Sequence, residues 1–143
     1  MTNGTQPLLE ENYRNSEGSP DPILDLLVGK DKHKISAYVD TGCSTGIFVF
    51  KEQVKGLDIG SKISSEPSPC IVADGDIIAG EEYVCSAIIG GEEKTIIITV
   101  VDPENKIGFQ KIDKMIPLLG RNLLDHYDVL FKGKAKKLLF FTC

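Results

Sequence analysis

The sequence holds 143 residues, 41% hydrophobic and 26% charged, with a formal net charge of -5. That length supports one core and not two, and the mixed composition excludes a fibrous repeat or wholesale disorder. The acidic balance argues against a nucleic-acid binder, which needs clustered Lys and Arg. The one dense basic cluster, Lys132, Lys134, Lys136 and Lys137, is built around Gly133 and reads as a solvated hairpin turn. No early apolar run follows a basic start, so no signal peptide is expected. The longest apolar stretch, 96–101, is too short to span a bilayer. A soluble, cytoplasmic chain without a membrane partner is the expectation.

In chain order, residues 1–21 are rich in Asn, Glu, Ser, Gly and Pro, with only Leu8, Leu9 and Tyr13 as sizeable apolar groups. They are expected to form a flexible N-terminal arm, or a segment ordered by a partner. Residues 22–143 form the domain. From Ile23 onward, short runs rich in Val, Ile, Leu and Tyr alternate with turn residues, which marks an all-β domain. Segments 23–29 and 34–39 flank Lys30-Asp31-Lys32 as a first hairpin. Segments 70–73 and 76–79 flank Asp74-Gly75, a pair suited to the positive φ angles of a tight turn. Segments 82–89 and 94–101 flank Gly90-Gly91 as a third hairpin. Beyond them, 102–114 reads as a polar loop, 116–119 as a short buried strand and 121–127 as a single short helix. In that helix Leu123, Leu124 and Tyr127 share one face. Strands 129–131 and 137–141 close the chain. Leu138, Leu139, Phe140 and Phe141 are four consecutive large apolar residues, as in a strand buried on both faces, and a second subunit is the expected cover for one face.

Few residues offer chemistry. Cys43, Cys70, Cys85 and Cys143 lie far apart with no CxxC pair, so no zinc or redox site is expected and the thiols are read as buried. His33 and His126 sit beside charged residues and are read as surface groups. No metal and no cofactor is implied. Asp40-Thr41-Gly42 differs, because it sets an acid where the strand-like run 35–39 passes into a loop. Taken alone, such a triplet is also what a turn-forming Asp bonded to nearby backbone N–H groups would leave.

The segment Ile116-Pro117-Leu118-Leu119-Gly120-Arg121-Asn122-Leu123-Leu124 adds an apolar strand, a glycine, an Arg-Asn pair and a helix start. Together with Asp40-Thr41-Gly42, it resembles the retropepsin-like aspartic proteases, the retroviral protease family with its cellular and prokaryotic relatives. The resemblance runs in order from about Ile23 to Phe141. It looks closest to the single-domain archaeal and bacterial members, which share a turn like Ala73-Asp74-Gly75. It implies a mainly β, single-domain acid protease fold, with closed barrel-like sheets and one short C-terminal helix, active as a homodimer. The Leu119-Gly120 strand would cross behind the aspartate loop, and Arg121 and Asn122 would open the helix. The implied activity is endopeptidase cleavage by a water that two Asp40 carboxylates activate, one from each subunit, since no second such triplet occurs. Thr41 would lock the two loops together, and Gly42 would let main chain approach the dyad.

Two positions depart from the family. Cys43 stands where Ala or Ser is usual and is read as packing rather than as a nucleophile. Ser44 stands where retroviral enzymes carry an Asp that pairs with the Arg of the Gly-Arg-Asn segment, which leaves Arg121 in need of another acid, either Asp125 or one from the other subunit. The candidate flap over an extended peptide or protein substrate is 71–79, with Ala73, Asp74, Gly75 and Asp76 at its tip and Gly90-Gly91 as a competing hairpin. The competing function is a catalytically silent, dimeric peptide-binding or protein-interaction module of the same fold. An intact Asp40-Thr41-Gly42 favours the enzyme.

Overall fold

The computed structural model describes residues 6–16, 18–63, 68–71, 77–102 and 116–142. The central structure is a ring of six strands. β4 (Ile23–Val28) and β5 (His33–Val39) form the first hairpin, and β9 (Ile77–Ile89) and β10 (Glu92–Val101) form the longest. β6 (Ile47–Phe50) and β11 (Leu118–Leu119) complete the ring in the order β10, β6, β11, β5, β4, β9 and back to β10. Closure removes free edges from the barrel.

Alternation explains why these segments are strands. In β5 the side chains run exposed, exposed, buried, half-buried, buried, half-buried, buried, so Ile35, Ala37 and Val39 point inward. They meet Leu24, Leu26, Val28, Ile47, Val49, Ala87, Ile89, Ile96 and Ile98 in one core. Full burial of each such Leu or Ile side chain contributes about 1.5–3 kcal/mol.

The first and third hairpins form where the sequence places them, with Gly90 (φ 57°) and Gly91 (φ 85°) in the left-handed conformation that their tight turn requires. β8 (Ser68–Ile71) pairs antiparallel with the start of β9, from Ile71 opposite Ile77 to Ser68 opposite Gly80, which is the base of the expected flap hairpin. The strand leaving that hairpin and the first strand of the Gly90-Gly91 hairpin are one continuous β9. β7 (Ser61–Lys62) also pairs with β9. A single 3₁₀ turn at Lys51–Val54 follows β6. The expected 102–114 loop lies almost wholly outside the described residues.

The helix is shorter than expected. α1 spans Arg121–Leu124, and Tyr127 already begins the next strand. Leu123, Leu124 and Tyr127 are nonetheless all buried, so the apolar face was real although its last member is a strand residue.

A second, three-stranded sheet is ordered β1 (Leu9–Asn12), β13 (Lys137–Thr142), β12 (Tyr127–Lys132). Two expectations change here. Residues 8–16 and 18–21 are not a mobile arm. Leu8 N–H donates to Phe140 O at 2.8 Å, β1 pairs with β13 from Leu9 opposite Phe140 to Asn12 opposite Lys137, and β2 (Arg14–Ser16) pairs with β3 (Ser19–Asp21). Leu8, Leu9 and Tyr13 pack on the core. Poor apolar content is no obstacle, because an added strand satisfies its backbone groups on an existing strand and needs only alternate side chains to bury.

The second change concerns Leu138, Leu139 and Phe140. They are 1%, 6% and 0% exposed within a single chain, because β13 is central in its sheet and both its faces are covered. No second subunit is needed to bury them. Only Phe141, which is half-buried, retains the character expected of an interface residue. The Phe140 ring meets Tyr127 edge to face at 5.5 Å. Burial pushes the Tyr127 phenol up to about 12, with the nearby Glu92 charge adding to the shift.

Candidate active site

Asp40 stands at the end of β5, and its position follows from how β11 is threaded. β11 runs parallel to β5, with Leu118 opposite Tyr38 and Leu119 opposite Val39. It runs antiparallel to β6, with Leu118 opposite Phe48 and Leu119 opposite Ile47. The loop 40–46 connecting β5 to β6 therefore arches over the end of β11. Asp40 N–H donates to Leu119 O at 2.9 Å, Gly120 N–H to Gly46 O at 2.9 Å and Arg121 N–H to Cys43 O at 2.8 Å. Both feet and the middle of the arch are thus fastened by main chain.

Such closeness dictates glycine at two points. A Cβ on Gly120 would lie against Thr45 O and 2.6 Å from Cys43 O, and one on Gly46 would press on Ile97 O and lie 3.0 Å from Asn122 Oδ1. Within the arch, Gly42 N–H donates to Asp40 Oδ1 at 2.9 Å and Cys43 N–H donates to Asp40 O at 3.1 Å. The carboxylate is aimed by the loop's own backbone while remaining half-exposed. Thr41, Gly42 and Ser44 are exposed and Cys43 is half-buried.

A second layer holds the arch from below. Thr45 Oγ1 donates to Ile97 O at 3.2 Å and accepts from Thr99 Oγ1 at 2.8 Å, Gly46 N–H donates to the same Ile97 O at 3.0 Å, and Asn122 Oδ1 accepts from Ile97 N–H at 2.8 Å. Thr99, 3% exposed, is the single buried polar residue among the described ones. Sequence reasoning placed Asn122 in this region but missed Thr45, Gly46 and Thr99. A signal existed for Thr99, a lone hydroxyl inside the apolar run 96–101 with no turn to explain it. None existed for Thr45, whose partner is 54 positions away.

Arg121 contributes through its backbone. Its side chain is exposed and, like Asp125, makes no ion pair among the described residues. Asn122 supplies the polar tie between helix and barrel. The flap residues Ala73, Asp74, Gly75 and Asp76 lie outside the described residues. Cys85 is buried and its thiol is pushed up to about 11 by that burial, which fits an inert packing thiol. His33 and His126 are exposed, as expected. No cluster of metal-ligating side chains exists among the described residues, and none of their helices is long and apolar enough to cross a membrane.

A closed six-strand barrel with a strand threaded behind an aspartate loop defines the retropepsin-like fold. No protein-family model and no curated protein matches the chain. Solved structures do. A retropepsin-like aspartic protease from Rickettsia conorii superposes with a TM-score of 0.58 at 23% identity, over 98% of this chain and 95% of that one. EIAV protease complexed with the inhibitor HBY-793 superposes with a TM-score of 0.56 at 15% identity, over 78% of this chain and 92% of that one. The chain has the fold of the retropepsin-like aspartic proteases. The Rickettsia superposition extends across nearly the whole chain, so the fold it shares reaches into the N-terminal strands.

Proposed function

We propose that the protein is an aspartic endopeptidase working as a homodimer, with Asp40 of each subunit forming one catalytic dyad. The observation that carries this reading is the Asp40 carboxylate itself. It is aimed by Gly42 N–H, half-exposed at the mouth of a loop fixed by β11, in a fold whose solved examples include named aspartic proteases. One carboxylate cannot both take a proton from water and give one to the substrate, and the chain supplies only one such loop. Across a two-fold axis, two such groups lie about 3 Å apart and share a single proton. The ionised member removes a proton from a bound water as its oxygen attacks the scissile carbonyl carbon. The protonated member gives its proton to the carbonyl oxygen. Collapse of the tetrahedral intermediate then breaks the C–N bond as the amine gains a proton, with no covalent enzyme intermediate.

Substrate would lie extended between the aspartate loops and the hairpin that begins at β8, bound through main-chain hydrogen bonds. Substrate is read as peptide or protein and the setting as cytoplasmic. The test is cleavage of a random peptide library between about pH 4 and 7 by the wild-type chain and by Asp40→Asn. Cleavage by the first and a loss of at least about a thousandfold in the second is expected. Equal cutting by both, or no cutting by a confirmed dimer at any pH, would remove the protease reading. The second reading, a silent peptide-binding module, is favoured by one observation, the exposed Arg121 side chain, which makes no ion pair among the described residues. It gains if the library is bound and not cut.

A further inference from the structure

At the far end of β6 from the aspartate loop lies a cavity of about 400 Å³ that the Asp40 chemistry does not use. The length of β6, at about 3.3 Å per residue, sets the two roughly 15 Å apart. One wall is the segment 51–60 that follows β6. The other is formed by Glu81 and Tyr83 of β9 with Val100 near the end of β10. A space of that size takes a small organic molecule. Its walls are already in place: Gly60 (φ 107°) lies so close to β9 that a Cβ there would fall on Val84 O, and Leu57 N–H closes a turn on Val54 O at 3.0 Å.

The lining divides by chemistry. The floor is apolar, because Val54, Ile59 and Val100 are each 9% exposed or less and Leu57 and the Tyr83 ring pack beside them. The rim carries two cations, Lys51 and Lys55, and three acids, Asp58, Glu81 and Asp102. By count that rim would suit a cationic guest, but the acids are engaged. Glu81 is met by Lys62 Nζ at 2.6 Å and accepts from Tyr83 Oη at 3.2 Å, and the Lys62 hydrogen bond holds its carboxyl below the ordinary value. Asp58 Oδ1 accepts from Gly60 N–H at 3.2 Å. Asp102 lies 3.8 Å from Lys51 Nζ, at the outer limit of ion pairing, and the Lys51 side chain is 65% exposed. Lys55 meets no acid among the described residues. The charge with room for a new partner is therefore positive.

We infer that this cavity is a binding site for a small monoanion with an aromatic or aliphatic body, the body resting on Val54, Leu57, Val100 and the Tyr83 ring and the anionic group held by Lys51 and Lys55. The two lysine stems extend the apolar surface toward the mouth while their ammonium groups stay in water until the ligand arrives. The site stands apart from Asp40 and does not depend on what Asp40 does. It adjoins the foot of the hairpin that begins at β8, since Glu81 and Tyr83 continue directly from the stretch of β9, Ile77 to Gly80, that pairs with β8.

The test titrates naphthoate, an aromatic body with one carboxylate, into the isotope-labelled full chain and follows amide chemical shifts. Saturable shifts are expected at Gly56, Ile59, Gly60 and Tyr83, with half-saturation below about 1 mM. A variant carrying both Lys51→Glu and Lys55→Glu should bind naphthoate at least about tenfold more weakly, because the attraction is replaced by repulsion. Naphthylmethylammonium, the same body with the opposite charge, should bind the wild type at least about tenfold more weakly than naphthoate and should gain affinity in the double variant. That gain shows that the cavity survives the substitutions, and unmoved Leu119 and Arg121 amides in the unliganded double variant show that the fold does. No saturable shift up to about 5 mM naphthoate, or shifts centred away from the segment 51–60 and β9, would overturn the site. Equal naphthoate binding by wild type and double variant, or equal binding of the two probes by wild type, would overturn its preference for an anion.

Discussion

Around Asp40 the chain is fastened by main-chain hydrogen bonds and by glycines that let segments touch, whereas the sheet of β1, β13 and β12 is fastened by buried apolar side chains. The loop 40–46 has little to bury, and its shape comes from bonds such as Asp40 N–H to Leu119 O and Arg121 N–H to Cys43 O. The sheet is organised on Leu138, Leu139 and Phe140, all nearly inaccessible. Geometry of the first kind is specific and contributes modest energy, while packing of the second kind contributes energy and tolerates displacement. Changes in the sheet should therefore act on stability, and changes beneath the loop on chemistry.

The largest stability effect is expected from Phe140→Ala. The ring is fully buried, packs edge to face on Tyr127, and lies where β1 and β12 both lean on β13. Truncation should lower unfolding free energy by about 3–5 kcal/mol, read from the urea midpoint. Release of β1 should accompany it, seen as faster amide exchange at Leu8 and Tyr13, whose N–H groups bond to Phe140 O and Lys136 O. A loss below about 1 kcal/mol would mean that packing does not hold this sheet.

The same contrast decides what the sequence disclosed. The aspartate loop was legible because close backbone approach leaves a trace in residue type. Gly120 stands where a side chain would collide, and Asp40 follows a strand that alternates cleanly. The hairpins at Lys30-Asp31-Lys32 and Gly90-Gly91 were legible for the same local reason, turn chemistry between alternating runs. The N-terminal strands were not, because Glu10 and Leu139 are brought together across almost the whole chain and the pairing uses backbone groups that every residue carries. The short β6 was missed as well. Ile47–Phe50 is too brief for periodicity to speak, and it owes its place to pairing with β10 and β11. Four apolar residues at 138–141 correctly signalled a doubly covered strand, but the cover for three of them is intramolecular.

Asn122→Ala sharpens the comparison from the other side. It removes the acceptor for Ile97 N–H and leaves that half-buried donor unpaired, a cost of about 1–3 kcal/mol. If the loop is what positions the carboxylate, cleavage should fall by more than this destabilisation explains. The expected loss is at least about tenfold in kcat with the urea midpoint still well above assay conditions, and Asn122→Asp, which keeps an acceptor oxygen, should recover part of it. A variant that loses stability but keeps kcat would show that Thr45 and the main-chain bonds alone hold the arch.

The smallest effect belongs to the join between the N-terminal strands and the barrel. Arg14 Nη1 donates to Asp25 Oδ1 at 2.8 Å, and Ser36 Oγ donates to the same oxygen at 2.5 Å. The Arg14 hydrogen bond, with Ser36 adding to it against the opposing effect of burial, holds the Asp25 carboxyl at about 2, below its ordinary 3.8. Both side chains are about one-third exposed, 38% and 34%, so water screens the pair and its contribution is ~1 kcal/mol or less. A folded-state pKa below the unfolded one contributes stability that is present above the unfolded value and is lost as pH falls through the folded one. Arg14→Ala should therefore be less stable than wild type near neutral pH, and the gap in urea midpoint should close as pH drops from about 4 to about 2. A gap that stays constant across that interval would assign Arg14 to packing through its aliphatic stem and not to its charge.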